Sequence, residues 1–329
     1  MNNERYVSPV IIDTDPAMGF SYADVDDNIA ILFALRGGLK IGLITIVSGN
    51  VKAREAYCSL LATLSMSEFR DSSIPIAVGG ESALSGAMIT GRDLVIHCLQ
   101  ARTKRHLKHF SDKRLELRMM PTNEHLPAPI AIINYLKNTQ HKSIKIIALG
   151  PLTNLALAYL MNKKVFTNVE QIIFMGGKFE NKMPVQEFNV QTDPEAAAII
   201  LTGEIPVVVI PLDVTLSVPF TLEELQRIFR KNKLLNKFII KWCKHWYAVC
   251  QKAFGYKHIF LHDVVATGFA LKPELYQLER ASIIVEKCGT FTRGQTLLVP
   301  IAETEKQLFL CTKVNIDEFK SYFLEIMSN

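Results

Sequence analysis

Five aspartates crowd one short stretch near the start of the chain: Asp13, Asp15, Asp24, Asp26 and Asp27. They follow Val10-Ile11-Ile12, an uninterrupted β-branched run with the character of a strand buried on both faces. Pro16 cannot donate to a ladder and ends that strand. The run from Asn28 to Leu35 then reads as a helix with acidic residues at its mouth. Asp13 and Asp15 therefore stand at the C-terminal lip of a strand, where open α/β sheets bind ligands. Two carboxylates about 5 Å apart repel by roughly 3 kcal/mol at an effective dielectric near 20. A helix N-terminus offsets about 1 kcal/mol of that. A single aspartate is explained well enough as a helix cap or a loop brace. The whole cluster calls for a cation or for shared protons, and hard oxygen ligands favour Ca²⁺ or Mg²⁺.

The same strand-lip rule gathers further polar residues along the chain. Asn50 follows the apolar run Ile41 to Val47. Thr153 and Asn154 follow Ile144 to Leu149, and Asn181, Glu187 and Asn189 follow Ile172 to Met175. Asp213 comes after Val207 to Ile210, and the pair His262-Asp263 opens a late helix. The set is rich in carboxylates and amides and poor in nucleophiles. It contains no G-x-S-x-G, G-x-G-x-x-G or G-x-x-x-x-G-K-[ST] motif. Carboxylates and amides suit a ligand with vicinal hydroxyls, and with a cation they suit hydrolysis by an activated water.

The elements that must position these groups alternate. Strands are expected at 41–47, near 74–78, 144–149, 172–175 and 207–210, with helices at 28–35, 52–66, 130–136 and from 151 and 194. Helices follow at 221–230, 234–253 and from 262, then strands near 282–286, 296–299 and 307–312 and a terminal helix. Between 81 and 129 the pattern is weak, with a helix expected over 92–108. Alternation of this kind implies an open, mostly parallel, Rossmann-like α/β sheet flanked by helices, with a helical addition near 220–255. With no linker and no repeat, residues 1–329 read as a single domain.

Composition narrows the function classes. The 329 residues are 49% apolar, enough for a large core, and the net charge of +5 is too modest to indicate a polyanionic partner. Basic residues do concentrate at 102–118, but Phe110 is the only aromatic there, so a solvated helix face is the reading and nucleic acid is not an expected partner. The six cysteines form no C-x-x-C pair and read as reduced residues of a cytoplasmic protein. The polar start shows no signal-peptide pattern, and no run is long enough to span a membrane.

Taken in order, five elements resemble the ribonucleoside hydrolases of the inosine–uridine type. They are Asp13-Thr-Asp-Pro with Asp26-Asp27, Gly150-Pro-Leu-Thr-Asn, Met175-Gly-Gly, Glu187-Phe-Asn-Val with Asp193-Pro-Glu-Ala, and His262-Asp263. Arg293-Gly-Gln-Thr also matches. The resemblance implies a Ca²⁺-dependent salvage enzyme that cleaves a small-molecule ribonucleoside to ribose and free base, and a homodimer or homotetramer. It implies that Asp15, Asp27, Asp263 and the backbone carbonyl of Thr153 hold the metal. Asp15 doubles as general base toward the attacking water. Asp26, Asn181, Glu187 and Asn189 hold the ribose hydroxyls, Asn50 and Met175 line the pocket with Asp263, and His262 serves the leaving base.

Two departures from the family pattern stand out. Nine residues, Ala17 to Val25, separate Pro16 from Asp26, and Phe20 and Tyr22 in that loop either roof the base or pack the loop. A histidine with a glycine-rich run after the third strand is missing; 85–93 reads Ser-Gly-Ala-Met-Ile-Thr-Gly-Arg-Asp. A binder that keeps the ribose and calcium site without turnover is therefore the alternative. A phosphohydrolase built on Asp13-x-Asp15 is a third reading, although no phosphate-holding lysine motif follows.

Overall fold

The computed structural model describes residues 9–86, 89–103, 126–139, 143–180, 186–230, 233–300 and 308–328. Asn181, His106, His109 and residues 104–118 of the basic stretch lie outside them.

The first half builds the switch point of the sheet. It runs β1 (Val10–Thr14), α1 (Asp26–Arg36), β2 (Ile41–Ile46), α2 (Ala53–Met66), β3 (Ile76–Val78) and α3 (Gly91–Thr103). Then come α4 (Ala128–Asn138), β4 (Ile144–Ala148), α5 (Thr153–Met161) and β5 (Val169–Met175). β1 pairs in parallel with both β2 and β4. The chain thus leaves β1 toward one edge and returns on its other side, which opens a crevice at the C-terminal ends of β1 and β4.

The second half continues with α6 (Phe188–Thr192), α7 (Pro194–Thr202), β6 (Val207–Ile210) and α8 (Leu212–Thr215). The helical addition follows as β7 (Pro219–Phe220), α9 (Leu222–Ile228), α10 (Leu234–Ala253) and β8 (Ile259–Phe260). β7 pairs with β8, so a two-stranded ribbon closes the addition at its base. α11 (His262–Leu271), β9 (Tyr276–Arg280), β10 (Ile283–Val285), β11 (Thr296–Leu298), β12 (Leu308–Val314) and α12 (Ile316–Ser328) complete the order.

Eight strands form the main sheet in the order β3-β2-β1-β4-β5-β6-β12-β9, parallel except for β9 at the edge. β9 is absent from the sequence expectation because Tyr276–Arg280 mixes polar with apolar residues and is half exposed, unlike the buried parallel strands. The strands expected near 282–286 and 296–299 form, but as a separate hairpin, β10–β11, outside the main sheet. Side chains alternate across β1: Ile12 enters the core with α1, α10, α11 and α12, and Ile11 the core with α4, α5 and α7. No helix among the described residues is long and apolar enough to cross a membrane.

Candidate functional site

The site is built from the residue upward at the end of β1. Thr14 closes the strand and turns its hydroxyl onto Asp27 Oδ1 at 2.6 Å. The next backbone N–H, of Asp15, reaches the same oxygen at 3.1 Å. The Asp15 carboxylate enters a nest between two glycines. A Cβ on Gly150 would stand 2.5 Å from Asp15 Oδ1, and one on Gly49 would collide with Oδ2. The backbone N–H of Asn50 donates to Asp15 Oδ2 at 2.6 Å, and its side-chain amide donates to Asp27 Oδ2 at 3.1 Å. Asn50 thus ties the end of β2 to two carboxylates.

Asp26 and Asp27 form the first turn of α1, two residues earlier than the sequence reading placed its start. Asp26 Oδ1 accepts the N–H of Asp27, and Oδ2 accepts the N–H of Asp263 at 3.1 Å. One carboxylate therefore joins the N-termini of α1 and α11, where helix dipoles favour negative charge. Asp27 also hydrogen-bonds the side chains of Asp15 and Asp263. Single oxygens of Asp26, Asp27 and Asp263 lie within 4.8 Å of one another, and all three residues are buried.

Burial and mutual repulsion dominate this cluster. Asp26 is pushed up to about 7, first by burial and then by Asp27. Burial, followed by neighbouring carboxylates, lifts Asp15, Asp24 and Asp263 well above the usual range, and burial lifts Asp27. No ion pair among the described residues reaches any of these five aspartates. A buried, oxygen-only donor set without an internal counter-charge fits a hard divalent cation.

At the ends of β4 and β5 stands an acidic residue of another kind. Glu187 caps α6, accepting N–H donations from Asn189 at 2.8 Å, Val190 at 3.0 Å and Gly177 at 3.0 Å. The Asn189 amide donates to the carbonyls of Leu149 at 2.7 Å and Met175 at 3.0 Å. The ends of β4 and β5 are bridged through it, and Met175 is buried beneath. Thr153 begins α5, and its hydroxyl donates to Asp193 Oδ2 at 2.6 Å. Asp193 itself caps α7 through the N–H of Ala196.

His262 is the first residue of α11, beside Asp263. Its Nδ1 lies 2.7 Å from Thr215 Oγ1, which is also 3.2 Å from the carbonyl of Leu212. Burial pushes its pKa down to about 4, so the ring is neutral at pH 7. The ring stacks on Phe260, with centroids 6.0 Å apart.

The structure thus brings Asp15, Asp26, Asp27, Asn50 and Asp263 into one hydrogen-bonded cluster. Glu187, Asn189 and Met175 form a second group on the same lip of the sheet. Several supports escaped the sequence reading: Thr14, Thr215, and the glycine nest around Asp15. Asn28 is another, since its Oδ1 accepts the N–H of Met18 at 3.0 Å while its amide reaches Ser59 and Thr63. The signal for it was a polar residue at the head of an apolar helical run. Asp13 lies beneath the site, accepting from Thr45 at 2.6 Å and Asn154 at 2.9 Å, and burial pushes it up to about 7. In the 17–25 loop, Phe20 packs under the Arg92 guanidinium at 5.9 Å, and Tyr22 meets the His245 ring edge-on at 6.0 Å. Asp213 holds the loop after β5 by accepting from Phe179 and Glu180.

Comparison with known proteins places this geometry in context. The sequence profile described as "inosine-uridine preferring nucleoside hydrolase" matches residues 10–321. The non-specific ribonucleoside hydrolase RihC of Salmonella enteritidis PT4 is 29% identical over 306 residues, 88% of this chain and 87% of that protein. A plant nucleoside hydrolase superposes with a TM-score of 0.79 at 26% identity, covering 98% of this chain and 99% of its own. The purine-preferring ribonucleoside hydrolase from Gardnerella vaginalis shares the fold, with a TM-score of 0.79 at 23% identity and coverage of 98% of both chains.

Proposed function

Since this chain belongs to the inosine-uridine preferring nucleoside hydrolase family, we propose that it hydrolyses the N-glycosidic bond of ribonucleosides to ribose and free base, with Ca²⁺ as its cation. The observation that carries this reading is the buried trio Asp26, Asp27 and Asp263, joined to Asp15 and, among the described residues, without a basic partner. Asp15, Asp27, Asp263 and the carbonyl of Thr153 are the residues that would hold the ion. A divalent ion there supplies the missing positive charge and attracts the oxygen atoms of a diol and of water.

The chain's own residues then divide the work. Asp15, fixed by Asn50 and the two glycines, accepts a proton from the attacking water; a positioned base of this kind contributes about 10² to 10⁴ in rate. Asp26 has both oxygens oriented by helix N-termini and keeps lone pairs for a ribose hydroxyl. Glu187 and Asn189, with Asn181, hold the other hydroxyls, and Met175 floors the sugar. Asn50 keeps Asp15 and Asp27 in register. His262 faces the leaving base as a neutral imidazole whose ring is oriented by Thr215.

The test is a panel of purine and pyrimidine ribonucleosides assayed for reducing sugar, with Ca²⁺ and after chelation. Release that disappears on chelation and returns with Ca²⁺ is the expected result. No release from any nucleoside, combined with calorimetric ribose binding, would favour the binder without turnover.

A further inference from the structure

Glu187 and Asn189 sit on α6, a helix too short to hold its own position. From beneath, Gly177, Leu149 and Met175 fix it, as described above. From outside, the β10–β11 hairpin and its connecting turn reach α6 and the segments flanking it through four separate contacts, of which the one at Gln191 is on α6 itself. Thr296 Oγ1 accepts from the Lys178 N–H at 3.0 Å and donates to the Lys178 carbonyl at 2.9 Å. The Gln186 amide donates to the Phe291 carbonyl at 2.6 Å. Arg293 Nη2 lies 2.8 and 2.7 Å from the two carboxylate oxygens of Glu195, in the first turn of α7. Gly294, at φ +88°, lies so close that a Cβ there would approach Gln191 Cα to 2.7 Å.

Between the hairpin turn and α6, the close contact at Gln191 stands beside open space. A cavity of about 680 Å³ lies there, with Phe188, Gln191, Phe291 and Arg293 in its walls. Around that cavity the turn is held by polar ties, and among the described residues Arg293–Glu195 is the charged one, running from the turn to the start of α7, which directly follows α6. Gln186 and Gln191, which meet the turn directly, bracket Glu187 and Asn189 in the chain.

We infer that Arg293 and Glu195 are a positioning pair: by fixing the 289–294 turn they set where α6 presents Glu187 and Asn189 to the sugar. The inference rests on the proposed role of those two residues in holding ribose. Side chains of the pair are about one-third exposed, 36% and 32%. Exposed pairs of this kind add little to global stability. Their effect belongs in sugar affinity, where small displacements of binding groups are costly.

The experiment compares Arg293→Gln, Glu195→Gln, the double variant and Arg293→Lys in the full chain with Ca²⁺. Ribose dissociation constants are measured by calorimetry, kcat and KM with the best nucleoside of the panel, and thermal midpoints alongside. Each glutamine variant is expected to weaken ribose binding and raise KM by about fivefold or more, with kcat within about twofold, the signature of lost uniform binding. The double variant is expected to be no worse than either single, since both remove one tie. Arg293→Lys, which keeps the charge, is expected to recover part of the loss. Ribose binding and KM within about twofold of wild type in the folded single variants would overturn the inference, as would losses that multiply in the double. If wild type binds no ribose at all, the sugar-site reading itself falls; variant effects measured against a binding wild type judge only the pair.

Discussion

Two acidic regions lie on the same lip of this sheet, and they are built on different principles. Glu187 is a buried carboxylate with three backbone N–H donors of its own, within the polar economy of one short helix. On the same lip, Asp15, Asp26, Asp27 and Asp263 have one another as close neighbours, share hydrogen bonds among themselves, and are held above their ordinary pKa by burial, with mutual repulsion added for Asp15, Asp26 and Asp263. Burial raises Glu187 as well, but its backbone N–H donors oppose that rise, whereas in the second region like charges add to it. The same residue chemistry is thus a brace in one place and, in the proposed reading, a ligand set in the other, and like-charged neighbours decide which.

The largest expected effect comes from relieving the second region. Asp15→Asn removes a charge and lets an amide donate to Asp27. Activity on the best ribonucleoside is expected to fall by about 10² to 10⁴ if Asp15 is the general base. The chelated protein, in contrast, is expected to gain thermal stability. Its pH dependence follows in sign. Asp26 titrates near 7 in the fold and near 3.8 unfolded, so between those values the native state holds the extra proton. Stability of the chelated protein therefore declines as pH rises from about 4 through 7. Thermal melts of wild type and variant with and without chelator measure both effects. A variant as active as wild type, or a chelated wild type more stable at pH 8 than at pH 5, breaks the comparison.

A smaller effect is expected on the braced side. Glu187→Gln keeps the shape but offers one acceptor oxygen where two are used, and its amide group then faces an N–H. The expected cost is about 1–3 kcal/mol of stability for the unsatisfied donor. KM is expected to rise roughly tenfold, equivalent to about 1.4 kcal/mol of binding, with kcat less affected. Unlike Asp15→Asn, this variant should be destabilised whether or not the chelator is present. A gain in stability on chelation would place Glu187 with the ligand set.

Much of this was legible in the residues, and the limits have physical causes. Parallel strands buried on both faces announce themselves as apolar runs, and the polar residues closing them fall on one lip by topology alone. So Asp15, Asp27 and Asn50 could be grouped from sequence, although Asn50 turned out to donate to carboxylates. What stayed hidden were contacts between distant segments. Nothing in the sequence around Thr215 says that its hydroxyl meets His262, 47 residues away in the chain. Nothing in Gly49 or Gly150 says that the space of an absent Cβ belongs to Asp15. Edge strand β9 was missed because an edge is allowed exposed charges. The β10–β11 strands were seen but not their pairing as a separate hairpin, since strand pattern does not specify which sheet a strand joins.

The smallest effect sharpens the comparison on its third side, the leaving group. Thr215 Oγ1 has one hydrogen and two neighbours, the Leu212 carbonyl and His262 Nδ1. Replacing Thr215 by Val keeps the shape and removes the hydroxyl, so the neutral imidazole loses its orienting partner while the aspartates and α6 stay untouched. Sugar affinity is expected to hold, with KM unchanged. Turnover of ordinary nucleosides is expected to drop by about three- to tenfold, a fraction of what general acid–base assistance supplies. A riboside whose leaving group needs no proton, such as 4-nitrophenyl riboside, should be hydrolysed by Thr215→Val as fast as by wild type. Equal losses on both substrates would mean that Thr215 supports the sugar side instead, and that His262 has no part in the departure of the base.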